Sequence, residues 1–169
     1  MEEDDLSCVL NALPGLVWTA VPDGPIAFVN QRFCEYTGLS VDEACGLGWQ
    51  TAIQPDDLPQ LLERWRSILA SGEPGEMEAR LRRFDGEYRW CLVCSNPLRD
   101  TAGQKIVKWY GLITDIEHRK RAEEALQRRE LSFRLIVDSI PAPVAVTTPS
   151  GEVEALNQPS NTLARRSRS

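Results

Sequence analysis

A partial internal repeat restricts the fold of this chain more than any other feature. Slid against itself by 127 residues, the sequence aligns without a gap. Leu13-Pro14 meets Ile140-Pro141, Val17 meets Val144, Pro22-Asp23-Gly24 meets Pro149-Ser150-Gly151, Ile26 meets Val153, and Asn30-Gln31 meets Asn157-Gln158. Apolar positions, a Pro-x-Gly turn and an Asn-Gln pair keep register together, which coincidence among turn residues fits poorly. The second copy stops after about thirty residues, too few to bury a core of its own, at Arg165-Arg166-Ser167-Arg168-Ser169. The expected organisation is one complete module over 1–117, a connector helix over 118–132, and the truncated start of a second module over 133–169.

Charge and cysteine usage narrow the class. The 25 acidic residues outnumber the 19 basic ones, which argues against a dedicated nucleic-acid binder with its basic footprint. No apolar run approaches the roughly 18 residues that cross a bilayer. The opening Met1-Glu2-Glu3-Asp4-Asp5 is acidic where a signal peptide would be basic. Five cysteines, an odd number without a secretory signal, read as reduced thiols. These features predict a cytoplasmic protein with no membrane segment and no nucleic-acid partner.

Turns and periods give the elements of the module. Gly15–Val21 and Pro25–Val29 are short apolar segments around the Asp23-Gly24 turn, a hairpin pattern. Asn30 suits a helix N-cap, and Ser40 with Glu43 has the spacing of a capping box. Gln54-Pro55-Asp56-Asp57 opens a longer helix whose apolar positions Leu58, Leu61, Leu62, Trp65, Ile68 and Leu69 recur at helical spacing up to Ser71-Gly72. The period then becomes two: Met77, Ala79 and Leu81 alternate with charged residues before the Asp85-Gly86 turn. Strands follow over Tyr88–Ser95 and Ile106–Ile116. Two strands, short helices and three strands predict an α+β fold, one antiparallel sheet with short helices on one face.

The stretches Asn30–Phe33, Tyr36-Thr37-Gly38, Ser40-Val41-Asp42-Glu43, Gln54-Pro55-Asp56-Asp57, Arg82 to Trp90, and Gly111 to Glu117 stand in an order and spacing that resembles the PAS sensory domain family with its C-terminal PAC motif. The run Arg119-Lys120-Arg121-Ala122-Glu123 matches that family's exit into a signalling helix. Many members have histidine where Gln54 stands, and often threonine where Glu117 stands. The resemblance spans about residues 6–125, and the repeat resembles a second such domain beginning. It implies a five-stranded antiparallel sheet around a small internal pocket. It also implies a sensory or dimerisation role in a larger signalling protein, such as a bacterial sensor histidine kinase or a cyclic-dinucleotide enzyme.

In a sheet covered by helices, the helix-facing positions are the ligand contacts. On the last strand Val107, Trp109, Gly111 and Ile113 share a face, with Met77, Ala79 and Leu81 beside them. Phe28, Phe33, Tyr36, Ile53, Trp65 and Leu69 are expected to close the pocket, and Gly111, the smallest residue in the row, marks where a void should lie. The competing reading is that these side chains simply fill a core. Haem-binding members use an internal axial histidine, whereas the sole histidine, His118, lies beyond the last strand. Light-sensing flavin members place a reactive cysteine shortly after the glycine matching Gly46; here that stretch holds Gly48-Trp49, and Cys45 precedes the glycine. Both chemistries are disfavoured, which leaves a small organic ligand or a non-covalent flavin.

Cys91-Leu92-Val93-Cys94 has zinc-like spacing, but residues three apart on a strand face opposite ways, so no metal site is expected. The same strand is apolar on both faces, so its outer face, with Trp90, Leu92 and Tyr110, should be covered by an N-terminal helical segment or a partner subunit. In the connector, Ala122, Leu126, Arg129, Phe133, Ile136 and Ile140 step by four and three like a two-stranded coiled-coil seam. Asp115 and Glu117 stand at the strand-to-helix junction, where the resemblance implies a brace. The resulting expectation is a non-enzymatic homodimeric sensor that relays a ligand or redox cue through its C-terminal helix to an output domain outside this chain. The alternatives are a purely structural dimerisation module with a filled core, or a phosphoacceptor segment using His118. That histidine lacks a following proline and any nucleotide-binding sequence.

Overall fold

The computed structural model describes residues 8–139, 145–151 and 153–156, and the chain divides into two compact units, 1–118 and 119–169. In the first unit, residues 8–12 are helical (α1). They lead into β1 (Leu16–Ala20), β2 (Ile26–Val29), α2 (Gln31–Thr37), α3 (Val41–Ala44), a 3-10 helix (Gly48–Ala52) and α4 (Leu58–Ser71). The long strands β3 (Gly75–Arg82), β4 (Tyr88–Arg99) and β5 (Ile106–Asp115) complete a five-stranded antiparallel sheet in the order β2-β1-β5-β4-β3. The chain thus closes on itself: β5 inserts between β1 and β4, and the helices cross from one edge hairpin to the other over one face.

Local chemistry sets the helix ends. Asn30 caps α2, accepting from Phe33 N–H, and Ser40 and Glu43 form the reciprocal capping box of α3. Asn30 does more than cap. Its fully buried side chain also accepts from Val17 N–H at 3.0 Å and donates to the carbonyls of Leu10 and Gly15, both at 3.0 Å. One amide therefore joins α1, β1 and α2 with both its polar atoms satisfied. Asp57 stands at the N-cap of α4 but caps nothing. Its carboxylate instead accepts from Arg80 N, Nε and Nη2 at 2.9, 2.9 and 2.6 Å, pinning the start of α4 to β3. Gly72 stops α4 at φ 68°, in the left-handed region.

The core lies between the sheet and α2, α3 and α4. At its centre three tryptophans stack edge to face, Trp18 on Trp65 and Trp65 on Trp109, each pair with centroids 5.5 Å apart. Such pairs contribute roughly 0.5–1.5 kcal/mol each beyond simple burial. Two register shifts decide which side chains join this core. One lies between Thr19 and Ala20, so that Trp18 pairs with Val29 and Thr19 with Phe28, yet Ala20 pairs with Ile26. Ala27 is the extra residue, Ile26 and Val29 both turn inward, and Phe28 goes to the outer face. The other shift lies between Leu98 and Arg99; it packs Ile106 against the core and leaves Val107 exposed, contrary to the expectation for Val107.

The second unit holds α5 from Arg119 onward and a hairpin, β6 (Ala145–Thr147) with β7 (Val153–Leu156). The helix runs Glu117–Ser139. The hairpin pairs Ala145 with Leu156, Val146 with Ala155 and Thr147 with Val153, with its own shift between Val146 and Thr147. Subtracting 127 from each number returns the β1–β2 pairs and the same shift. The turn bond repeats as well, Gly24 N–H to Val21 O and Gly151 N–H to Thr148 O. Expectations for Ile140, Val144, Asn157, Gln158 and the C-terminal Arg-Ser run lie outside the described residues. No helix among the described residues is long and apolar enough to cross a membrane.

Candidate functional site

Between the sheet and the helices lies a cavity of about 60 Å³. β1 and β2 supply Trp18, Ile26 and Val29; α2 supplies Phe33; Trp49 and Ile53 come from the 3-10 segment and its end; α4 supplies Leu61 and Trp65. The floor is Met77, Ala79 and Leu81 of β3, Cys91 and Val93 of β4, and Ile113 of β5. Every side chain is apolar except for the Cys91 thiol and the indole N–H groups. The indole N–H of Trp18 is buried with no acceptor among the described residues.

Of the residues expected to form the pocket, Phe33, Ile53, Trp65, Met77, Ala79, Leu81 and Ile113 stand in this wall, and Phe28, Tyr36, Leu69, Trp109 and Gly111 do not. Phe28 leaves through the β1–β2 shift. Trp109 is wholly buried against Trp65 and donates its indole N–H to Pro22 O at 3.3 Å. Leu69 packs beside the core near Gly24. The void does not lie over Gly111: a Cβ there would meet Trp18 Cζ2 at 2.4 Å, Trp18 Cε2 at 2.5 Å and Cys94 O at 2.2 Å. Glycine at this position admits the Trp18 ring, which crosses the neighbouring strand and takes the space. The wall residues missed from sequence carry a weak signal at most. Trp18, Ile26 and Val29 needed the bulge, and Cys91 and Val93 needed the inner face of β4 to be assigned.

Cys91 and Cys94 do face opposite ways. Cys91, 1% exposed, lines the cavity, and burial pushes its thiol up to about 11. Cys94 points to the other face, its thiol 3.8 Å from Glu76 Oε1. No cluster that could hold a metal ion occurs among the described residues.

Tyr36 turns away from the cavity toward the junction. Its hydroxyl lies 3.8 Å from Cys91 Sγ and donates to Asp115 Oδ2 at 3.4 Å. Burial, with Cys91 beside it, holds the phenol well above its ordinary value, so it acts as a neutral donor. Asp115 Oδ2 also pairs with Arg89 Nη1 at 2.8 Å, and its Oδ1 accepts from Glu117 N–H at 3.0 Å. Glu117 then reaches back, its Oε2 accepting from Trp90 N–H at 2.9 Å, while Ile116 N–H donates to Trp90 O at 2.8 Å. A continuous polar path runs from the cavity wall at Cys91, through Tyr36 and Asp115, to the first residue of α5.

The outer face of the sheet carries Trp90, Leu92, Tyr110 and Leu112. Trp90 and Leu92 are half-buried, with the Arg80 guanidinium 5.4 Å from the Trp90 ring, whereas Tyr110 and Leu112 are 47% and 43% exposed. Gly15 passes over Leu112, where a Cβ would lie 2.3 Å from Leu112 Cδ1. On α5, Leu126, Phe133 and Ile136 are exposed.

The cavity does not fit a flavin. It is too small for a tricyclic isoalloxazine, and a wall with no amide or charged side chain cannot satisfy that ring's carbonyl and N–H edge. Nor does it offer a haem an axial histidine, since His118 is the second residue of α5, outside the wall.

Comparison with known proteins agrees with this architecture. A family model described as "PAS fold" matches residues 26–113. The uncharacterised protein y4lL of Sinorhizobium fredii is 38% identical over 138 residues, covering 82% of this chain and 16% of that protein. The peroxide stress-activated histidine kinase mak1 of Schizosaccharomyces pombe is 36% identical over 143 residues, covering 80% of this chain and 9% of the kinase. This chain therefore spans under a fifth of the length of these relatives. Among solved structures, a sensory box histidine kinase/response regulator from Burkholderia thailandensis superposes with a TM-score of 0.55 at 23% identity, over 79% of this chain and 98% of that one.

Proposed function

Given that this chain belongs to the PAS fold family, we propose that it is a sensory and dimerisation module that relays a cue from its cavity through α5 to an output domain of a longer signalling protein. The output we assign is a histidine kinase, the activity named for mak1 and for the Burkholderia thailandensis structure. The module itself carries no catalysis in this reading, acts in the cytoplasm, and pairs with a second copy through Trp90, Leu92 and Tyr110 and through Leu126 and Phe133 of α5. Residues 133–169 are the opening of a second such domain, a reading supported by the repeated hairpin register.

The observation that carries the proposal is the polar path from Cys91 to Glu117. A ligand pressing on the β4 wall displaces Cys91 and with it the Tyr36 hydroxyl, which shares Asp115 with Arg89 and the start of α5. Contacts of this kind have two discrete arrangements, bonded or released, and can bias a helix between two positions. The cue is a ligand rather than thiol oxidation, because a thiol this buried and protonated reacts slowly. Asp115→Ala in the longer kinase tests the relay. Occupancy of the cavity should persist while autophosphorylation ceases to depend on it; a variant that still responds to occupancy refutes the relay.

A further inference from the structure

At about 60 Å³ the cavity is well short of the roughly 150 Å³ that accepts benzene, so an organic guest enters only where the wall gives way. Resting on the sensory reading above, we infer that the wall gives way at Met77. This side chain is a gate between the cavity and the surface groove along α4 and β3, and its outward swing admits the uncharged, apolar end of a molecule.

Three observations carry this. The first is a shared wall. The groove, of about 440 Å³, lies between α4 and the edge strand β3, and Leu61 and Met77 line it as well as the cavity. Those two side chains therefore stand between the two spaces. The second is how the seam is fastened. At its start α4 is tied to β3 by the Asp57–Arg80 bonds. At its end Ile68 lies so close to Gly75 that a Cβ there would be 2.4 Å from Ile68 Cδ1, and Arg99 Nη2 donates to Gly72 O at 2.7 Å. Midway, beside the groove, Arg64 Nε reaches Glu76 O only at 3.4 Å. With the helix held at both ends, an opening must come from side chains in the middle of the seam.

The third is the character of the two side chains. Leu61 is 5% exposed and fixed in the core under α4, whereas Met77 is half-buried on the edge strand. An unbranched methionine with three rotatable bonds takes several shapes at small cost. Swinging toward the groove, it needs no backbone movement and vacates its own volume beside the cavity. The passage so opened runs past Leu61, Ala79 and Val93, all apolar. A charged group crossing it would lose its hydration and find no partner. At the groove the carboxylates of Glu63, Glu76 and Glu78 outnumber the Arg64 guanidinium, which turns anions away further.

Cys91, in the cavity wall, reports the passage. Methyl methanethiosulfonate is small and uncharged and transfers a methylthio group to a thiolate; its 2-sulfonatoethyl analogue transfers an anionic group. Labelling is followed by mass spectrometry of the peptide from Trp90 to Arg99 in the whole chain carrying Cys94→Ser, each rate being divided by that of the same reagent on free cysteine. Met77→Ala should speed methylthio labelling of Cys91 about fivefold or more, and Met77→Ile, of similar bulk but stiff at χ1, should slow it by as much. In the wild type the anionic reagent should lag the neutral one about tenfold or more. A gate opens by local motion, so the wild-type rate should stay flat in urea below the unfolding transition. Rates within about twofold across wild type and both Met77 variants overturn the inference, since bulk and stiffness would then not matter. So does equal labelling by the two reagents, or a rate that climbs with urea along the slope of global unfolding. So does a Trp49→Leu variant, altered at another half-buried wall position, that speeds labelling as much as Met77→Ala. The urea dependence keeps the test decisive should Met77→Ala be unstable. Failure of the two readings is separable. If labelling ignores Met77 but the longer kinase loses its response in Asp115→Ala, the gate is wrong and sensing stands. If labelling follows Met77 but the kinase response survives Asp115→Ala, the gate stands and the sensory relay falls.

Discussion

Gly111→Ala is the substitution that most directly probes how this core is built. The added methyl would sit 2.4 and 2.5 Å from the Trp18 ring and 2.2 Å from the Cys94 carbonyl. Carbon atoms in contact stand about 3.5–4.0 Å apart, so the ring must move by more than about 1 Å while it is also wedged against Trp65. Overpacking of a rigid core costs about 1–3 kcal/mol, and dislodging a buried tryptophan about 3–5 kcal/mol. Because the second clash is with backbone rather than with a flexible side chain, the expected loss is about 3–5 kcal/mol. At a urea dependence of about 2 kcal/mol/M, the unfolding midpoint should fall by about 2 M. The near-ultraviolet circular dichroism of the tryptophan cluster should weaken with it. Adding Trp18→Leu removes the ring clash but not the Cys94 one, so the double variant should be more stable than the sum of the single effects by about 1–2 kcal/mol. A Gly111→Ala midpoint within about 0.3 M of wild type, with an unchanged aromatic spectrum, would refute the close packing of Trp18 on Gly111.

Other outcomes rest on the same contacts. Cys91, buried with its thiol pushed up to about 11, should resist a disulfide reagent near pH 8 while exposed Cys8 reacts at once. A thiol raised from 9.0 to about 11 leaves the folded state protonated longer than the unfolded one. Its contribution is therefore intact below pH about 9 and lost as pH rises to about 11, about 2–3 kcal/mol. Urea midpoints of wild type and Cys91→Ala compared across that window measure it, and parallel profiles would refute it. Hydrogen bonds from Arg80 hold the Asp57 carboxyl below its ordinary value, so its contribution is present above about pH 4 and disappears as pH falls through the lowered value. Asp57→Asn should cost about 1–2 kcal/mol at pH 7 and flatten the acid limb of a stability–pH curve. Tyr110→Glu combined with Leu112→Glu should convert a dimer to a monomer in light scattering at micromolar concentration; a wild-type chain that is already monomeric there would count against pairing through this face.

Much of the architecture is legible without any tertiary contact. Caps, turns and strand periods are local: the Asn30 cap on Phe33, the Ser40–Glu43 box and Gly72 act on backbone within a turn of themselves, whereas the bonds of Asn30 to Val17, Leu10 and Gly15 are tertiary. The cavity is half legible for a different reason. Phe33, Ile53, Trp65, Met77 and Ile113 lie where simple helix and strand periods place them. Phe28 and Val107 depart from those periods because each sits at a register shift, and a single extra residue reverses the face of every later position in the strand. Tyr36 has a helical position compatible with the core, but its hydroxyl is claimed by Asp115, 79 residues away.

The order of elements, the antiparallel sheet they form and the repeat at 127 can all be read from the chain alone, because they depend on neighbours along it and on a pattern that recurs there. The recurrence extends to the hairpin's register shift, which returns at the same offset. Where empty space remains is a matter for tertiary packing. Gly111, the smallest residue on its strand face, marks no void, because Trp18 from the adjacent strand reaches across and fills it. The cavity lies instead over Ala79 and Cys91. Volume is set by which side chains meet across strands and helices, and no local rule counts atoms that arrive from elsewhere.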